Sequence, residues 1–306
     1  MDKFDRRVVV LGATGQQGGA VVSALLDAGW PVRAVVRDPS AERSLSLAGA
    51  GVDIVAGDLG DPESLRAAFR DAYGVFSVQP SSGQAGSTVT DDDEVRFGIS
   101  VATIAEEAGV EHLVYSSAIA AGPTDTGIAH FDTKSRIEAH IRSLDIAATI
   151  IRPASFMEIL MLPGMGLAQG QFSFLMRNDQ PVQFIAVRDI GRVAAEIFDA
   201  PVEFSDQTLD LAGDTLTGDQ LAESFSGALR QPIAYRRISD EVLTANDLLG
   251  KLVAAADSGR LAGDADVTEL RGRFPFLLEF AQWLAGPGAA SLAAAVADPS
   301  VGIALR

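Results

Sequence analysis

The chain has 306 residues, 47% of them hydrophobic, enough to fill a sizeable core in one large domain or in a domain with a smaller lobe. Its formal net charge of −17 repels phosphate backbones and anionic lipid, which argues against nucleic-acid and membrane-surface binding; any anionic ligand must be held by local groups. The absence of cysteine excludes disulfides, thiolate metal sites and cysteine nucleophiles, and no apolar run approaches the ~18 residues of a membrane span or forms a signal core in the opening "MDKFDRR", so a soluble cytoplasmic protein is expected.

The segment "VVVLGATGQQGGAVVSALLDAGWPVRAVVRDPS", residues 8–40, reads as a strand over 8–11, a glycine-rich turn, a helix over 19–28 and a second strand over 32–36. Further apolar runs follow at "VDIVAGD", "GVFSVQP", "EHLVYSS" and "ATIIRP", with helix-sized segments between them. One such segment, "SLRAAFRDA" over 64–72, carries a single apolar stripe. Six apolar strands alternating with helices predict a parallel sheet covered on both faces, and right-handed crossovers make it doubly wound.

The alternation breaks after Arg152 and Pro153. The first 153 residues are therefore expected to form a dinucleotide-binding domain, and residues 154–306 mainly a mixed α/β lobe for a substrate or partner. "ASFMEILMLPGMGLAQGQFSFLM", residues 154–176, has neither helical nor strand period, and two readings stand: a core hairpin, or the wall of an apolar pocket formed by Phe156, Met157, Ile159, Leu160 and Phe174. At about 182–200 a strand and a helix return to the first domain, with Asp189 placed to cap the helix. Beyond 208 the pattern gives a strand, the helix "GDQLAESFSGAL", a strand "IAYRRI" and an Ala-rich helical or mobile tail.

Three glycines, Gly12, Gly15 and Gly18, space the turn after the first strand. Glycine permits positive φ and close backbone approach, and the helix that follows points its N-terminus at a pyrophosphate. Thr14, Gln16 and Gln17 belong to the same cradle. Arg37, the first residue past the second strand, suits a 2′-phosphate and so favours NADP(H) over NAD(H), although Asp38 stands beside it. Arg33, within the strand, reads as an edge or solvent-facing residue.

Asp58 and Leu59 after the third strand are candidates for the adenine, while Asp58 with Asp61 also reads as a helix-entry cap. Gln79, Pro80, Ser116 and Pro153 fall at carboxyl ends of strands, where doubly wound folds bind ligands. The Gly/Ser/Thr-rich loop over 77–94 reads either as a cover for the nicotinamide or as plain surface loop, and Asp91, Asp92 and Asp93 as helix N-terminal charge. No metal site is expected: His112, His130 and His140 lack ligand spacing.

Taken together, the GxxGxxG turn, "VRDP", "GDL", "YSS", "HFDTKSRIEAHIR", "IRPASFME" and "VRDIG" resemble the NmrA-like family of atypical short-chain dehydrogenases, and the likeness runs on through "ELRGRFPFLLEFAQWL". The resemblance implies a Rossmann domain with a smaller C-terminal lobe and an NADP(H) preference. It also implies two functions, since the family holds both reductases of quinones and other electrophiles and nucleotide sensors that act through a regulatory protein partner.

Short-chain dehydrogenases generally place Tyr-x-x-x-Lys on one helix, because residues four apart share a face and the ammonium lowers the tyrosine pKa. Here Lys134 has His130 in the tyrosine's place. Lys134 retains the reach for the nicotinamide ribose; His130 reads as a general acid, a pocket wall or a solvent-facing helix start. Ser117, beside Ser116, stands where the superfamily orients a substrate carbonyl, within one residue of register. Hydride transfer to a quinone or enone needs no strong protein acid, so a reductase of apolar electrophiles and a non-catalytic redox sensor both remain open, as does the oligomeric state.

Overall fold

The computed structural model describes residues 6–82, 88–239 and 247–298. Part of the expected cover loop, 83–87, and the ends of the chain lie outside the described residues. The chain divides into two compact units, Met1–Arg152 with Val187–Leu209, and Pro153–Ala186 with Asp210–Arg306.

The first unit alternates strand and helix: β1 (Arg7–Val10), α1 (Gln16–Asp27), β2 (Val32–Val36), α2 (Glu42–Gly49), β3 (Asp53–Ala56), α3 (Pro62–Ala68), β4 (Ala72–Ser77), α4 (Asp91–Glu107), β5 (His112–Ser116), α5 (Ala129–Ile141) and β6 (Ala148–Pro153). The helices α6 (Val187–Asp199) and α7 (Pro201–Phe204) complete it, and β10 (Thr208–Leu211) borders β6 at the sheet edge. The strand order is β10-β6-β5-β4-β1-β2-β3, with parallel pairing from β3 through to β6. This is the doubly wound Rossmann order, whose reversal point lies between β1 and β4.

Successive side chains of a strand point to opposite faces, and helices cover both faces, so the central strands are apolar at consecutive positions. Val9, Leu11, Val75, Leu113 and Tyr115 pack with Leu65, Val101, Ile104, Ile137 and Ile141 of α3, α4 and α5 on one face. On the other face α1 meets α6 so closely that a Cβ on Gly191 would stand 2.3 Å from the Ala20 carbonyl oxygen. Phe198 likewise occupies the space above Gly74, 2.5 Å from where its Cβ would be.

Local chemistry moves several expected boundaries. The stripe over 64–72 stops being helix at Ala68, because Asp71 turns the chain at φ 58° and Ala72 already opens β4. Helix α1 begins at Gln16, so Gly18 and Gly19 lie in its first turn. Helix α6 starts at Val187, two residues before Asp189, which sits buried inside its first turn, 3.6 Å from the Arg188 guanidinium. The expected return at about 182–200 is corrected to the helix alone, since the strand before it pairs within the second unit.

That second unit holds β7 (Ser155–Phe156), β9 (Val182–Ile185) and β11 (Asp214–Leu216) in one small sheet, and β8 (Gln171–Phe174) paired with β12 (Ala234–Arg237) in another. Its helices are α8 (Gly218–Leu229), α9 (Asp247–Asp257), α10 (Val267–Arg273), α11 (Phe280–Ala285) and α12 (Ala289–Ala297). Thr217 caps α8 through a reciprocal box with Gln220. The unit has its own core, in which Met157, Leu160, Met165, Phe172, Phe174, Met176, Phe225 and Trp283 are buried together. Among the described residues of both units, no helix is long and apolar enough to cross a membrane.

Candidate functional site

The candidate site forms along the carboxyl ends of β1, β2, β4 and β5 in the first unit. Gly12 takes φ +65°, a left-handed conformation that favours glycine, and the Gly15 N–H closes the turn on the Gly12 carbonyl at 2.8 Å. A Cβ on Gly18 would stand 2.2 Å from that same carbonyl oxygen, so only glycine lets α1 approach the turn. No side chain caps α1 and no acidic residue lies in its first turn. Its leading N–H groups and positive dipole end are thus left for an anion, a donor set that fits a dinucleotide pyrophosphate.

Arg37 is exposed just past β2 and makes no hydrogen bond or ion pair among the described residues. Asp38 beside it turns back on Ser40, accepting from its amide at 2.8 Å and its hydroxyl at 2.6 Å, and these bonds hold its carboxyl below the usual aspartate range. The Arg43 guanidinium donates to the Thr14 carbonyl at 3.0 Å, which ties the start of α2 to the glycine turn. Arg33, read from sequence as an edge or solvent-facing residue, is instead half-buried and paired with Asp53 at 2.8 Å.

Asp58 accepts the Gly60 amide at 2.7 Å, and it is Asp61 that caps α3 through the Glu63 amide. Leu59 packs half-buried against the core of the first unit.

Past β4, Gln79 is buried and donates to the Ser77 hydroxyl, while its own Oε1 is buried with no partner among the described residues. Pro80 is half-buried beside it. At the end of β5 the Ser116 hydroxyl donates to Gln17 Oε1 at 2.7 Å, joining that strand to the first turn of α1. The Ser117 hydroxyl donates to Glu138 Oε1 at 2.6 Å. With that single proton committed, Ser117 stands in a buried carboxylate cluster and not as a free donor toward a carbonyl.

Lys134 and His130 both lie on α5, one turn apart. The Lys134 ammonium is buried and donates to Glu94 at 2.7 Å, to the Ser81 hydroxyl at 3.1 Å and to the His130 carbonyl at 3.1 Å. His130 is an exposed residue whose ring packs edge-on against Phe131. Crowding by protein, then the Lys134 charge, push its pKa below the ordinary imidazole value. The direction keeps the imidazole neutral at pH 7, a hydrogen-bond donor with little of the acid form present.

Of the apolar candidates in the second unit, Met157, Leu160 and Phe174 are at most 2% exposed and belong to its core. They have no surface to present to a ligand, so for them the core reading of 154–176 holds against the pocket reading. Phe156 and Ile159 are half-buried, and Pro153 is buried at the end of β6.

Two buried carboxylates beside the candidate residues were not legible as such. Glu94 reads in sequence as the end of the acid run "DDDE", yet the helix period turns it inward, 1% exposed, while Asp92 stays outside. Glu138, four residues after Lys134, shares its helix face and is wholly buried; the i, i+4 spacing was the available signal. Its carboxyl is raised by burial but pulled down further by hydrogen bonds from Arg152, Ser117 and Arg142, so its pKa lies below the usual glutamate value.

The NmrA-like family model matches residues 4–258. An NAD(P)H azoreductase of Xenophilus azovorans is 29% identical over 279 residues, covering 87% of this chain and 93% of that protein. Among solved structures, NmrA, a negative transcriptional regulator, superimposes with TM-score 0.79 at 19% identity, covering 95% of this chain and 98% of that one. An NADPH-dependent quinone oxidoreductase from Escherichia coli, complexed with NADPH, superimposes with TM-score 0.75 at 21% identity over 91% of this chain and 98% of that one.

Proposed function

The chain belongs to the NmrA-like family, and from that premise we propose that it is an NADP(H)-dependent reductase of apolar electrophilic small molecules such as quinones or enones. The observation that carries this reading is the uncapped, acid-free start of α1, held against the Gly12 carbonyl by a glycine whose Cβ would clash at 2.2 Å. In this reading the turn holds the pyrophosphate and Arg37 the 2′-phosphate, with the Asp38 carboxyl drawn onto Ser40. Lys134 serves the nicotinamide ribose. A bound nicotinamide supplies the hydride; the residues around it orient the ring and exclude water. The neutral His130 orients or donates weakly, which suits a quinone or activated alkene and not an unactivated ketone. The azoreductase and quinone oxidoreductase among the similar proteins agree with this class of electrophile.

A second reading, a non-catalytic NADP(H) sensor acting on a regulatory partner, is favoured by one observation: a histidine stands where the superfamily keeps its tyrosine. The regulator among the similar folds agrees with it.

The deciding experiment is NADPH oxidation by the purified protein against quinones, enones and aromatic aldehydes, with Lys134→Met as control. Turnover abolished by that substitution supports the reductase; tight NADPH binding without turnover on any member supports the sensor. Arg37→Ala should weaken NADPH binding about tenfold, the loss of one charged hydrogen bond, and leave NADH binding unchanged. Unchanged NADPH affinity removes Arg37 from the site.

A further inference from the structure

Lys134 carries three ammonium hydrogens, and all three are spent: on Glu94, on Ser81 and on the His130 carbonyl of its own helix. The ammonium therefore reaches a ligand hydroxyl only by giving up one of these partners. The three are unequal. The Glu94 contact is a buried ion pair at 2.7 Å between side chains 9% and 1% exposed, the kind that is costly to break. The carbonyl contact lies along the helix that carries the lysine. Ser81 is neutral, stands at 3.1 Å and comes from the segment after β4, so it is the cheapest to release.

Ser81 also lies 3.4 Å from the same Glu94 oxygen, so its hydroxyl accepts from the ammonium and donates to the carboxylate. A ligand hydroxyl can do the same two things. The other carboxylate oxygen, Glu94 Oε2, is buried with no partner among the described residues, a costly condition for a buried charge unless something else serves it. The cluster thus lacks one donor while its ammonium has no hydrogen to spare, so an entering hydroxyl that takes the place of Ser81 accepts from the ammonium and brings a donor to the carboxylate.

We propose that Glu94 is a positioning residue for Lys134, fixing the ammonium through the ion pair while the Ser81 hydroxyl is exchanged for a hydroxyl of the bound cofactor. The proposal rests on the cofactor reading given above. Glu94 acts through Lys134, so its removal should tell on the cofactor and not on the electrophile.

The test is a double-mutant cycle on the full-length protein, with NADPH affinity read from nicotinamide fluorescence and kinetics measured with menadione. Glu94→Gln should weaken NADPH binding about tenfold, the scale of one charge-assisted hydrogen bond. It should raise KM for NADPH with KM for menadione unchanged, a split that general loosening of the fold does not produce. In a Lys134→Met background the same Glu94→Gln change should shift NADPH affinity less than about twofold, as expected when one residue acts through the other. Equal losses in both backgrounds overturn the proposal. Ser81→Ala leaves the ion pair intact and should bind NADPH at least as tightly as the native chain; weaker binding overturns the exchange, and this arm stands even if Glu94→Gln fails to fold. A native chain that binds neither NADPH nor NADH defeats the cofactor reading itself, whereas native binding that Glu94→Gln leaves unchanged defeats only the role of Glu94.

Discussion

Lys134 and Glu138 lie one turn apart on α5, and each anchors a buried charge cluster, but the two clusters are finished differently. Around Glu138 every acceptor is served: Arg152 binds both carboxylate oxygens at 2.9 and 2.6 Å, Ser117 donates at 2.6 Å and Arg142 at 2.9 Å. Around Lys134 the donors are satisfied and the acceptors are not, for Glu94 Oε2 is buried without a partner among the described residues. A buried polar group left short costs about 1–3 kcal/mol, so a protein retains one where something else completes it. The saturated cluster reads as structure and the unsaturated one as a place for a ligand. Helix position alone, four residues on one face, does not separate the two roles; counting donors against acceptors does.

The sharpest way to break this contrast is to strip the saturated cluster. Arg152→Ala should destabilise the chain by about 3–5 kcal/mol, because it leaves the wholly buried Glu138 carboxylate with only Ser117 and the half-exposed Arg142. Urea unfolding followed by circular dichroism measures this. If Glu138 is structural, the folded fraction that remains should bind NADPH with native affinity. A loss of affinity without a loss of stability would reverse the assignment of the two clusters. The cluster's pH dependence has a defined sign: the Glu138 pKa is depressed in the folded state, so its stabilisation is present above the ordinary value of 4.5 and disappears as pH falls through the lower folded value.

His112 sharpens the comparison from the opposite end of the same sheet. It opens β5, wholly buried, and its Nε2 lies 2.8 Å from the Thr149 hydroxyl. That hydroxyl donates to the Phe204 carbonyl, so the imidazole must be the donor to it, neutral and protonated on Nε2. Nδ1 is then a bare acceptor without a partner among the described residues, like Gln79 Oε1, but at the amino end of the strands, where doubly wound folds do not bind ligands. Burial, opposed by Asp206, pushes its pKa down to about 4. The unfolded chain binds the proton first, so the stabilisation is full above the ordinary imidazole value of 6.5 and falls as pH drops from there toward the folded pKa. Between pH 7 and pH 5 unfolding free energy should fall by about 2 kcal/mol from this group, and His112→Gln should remove most of that slope. A slope that survives the substitution means another group carries it.

These contrasts also explain how far the sequence alone reaches. The strands were legible because Val8 to Val10, Ala34 to Val36 and Leu113 to Tyr115 are buried on both faces, which no solvent-facing strand would allow. The glycine turn was legible because Gly12 and Gly18 answer to backbone geometry within seven consecutive residues. Glu94 was not, since its partners Lys134 and Ser81 are 40 and 13 residues away and only the packing of α4 on α5 brings them together. The apolar run after Pro153 left two readings open for a related reason: Met157, Leu160 and Phe174 have a composition that suits a core and a pocket wall alike, and composition does not say which side of a wall faces solvent.

The smallest effect bears most directly on what saturation means. Arg142, the residue that caps the C-terminus of α5, bonds Glu138 Oε2 at 2.9 Å and Thr208 at 3.1 Å, an i, i+4 pair whose arginine is 47% exposed. Its guanidinium therefore keeps much of its hydration whether paired or not, and an ion pair of that kind contributes about 0.2–1 kcal/mol. Removing it leaves the carboxylate with both Arg152 bonds and the Ser117 bond, so no oxygen is orphaned. Arg142→Ala should accordingly cost less than about 1 kcal/mol in urea unfolding, a small fraction of the Arg152→Ala effect on the same carboxylate. The ratio between the two arginines, and not either value alone, is the test. If they cost the same, exposure does not decide the worth of a donor here, and the distinction between a finished cluster and an unfinished one loses its physical basis.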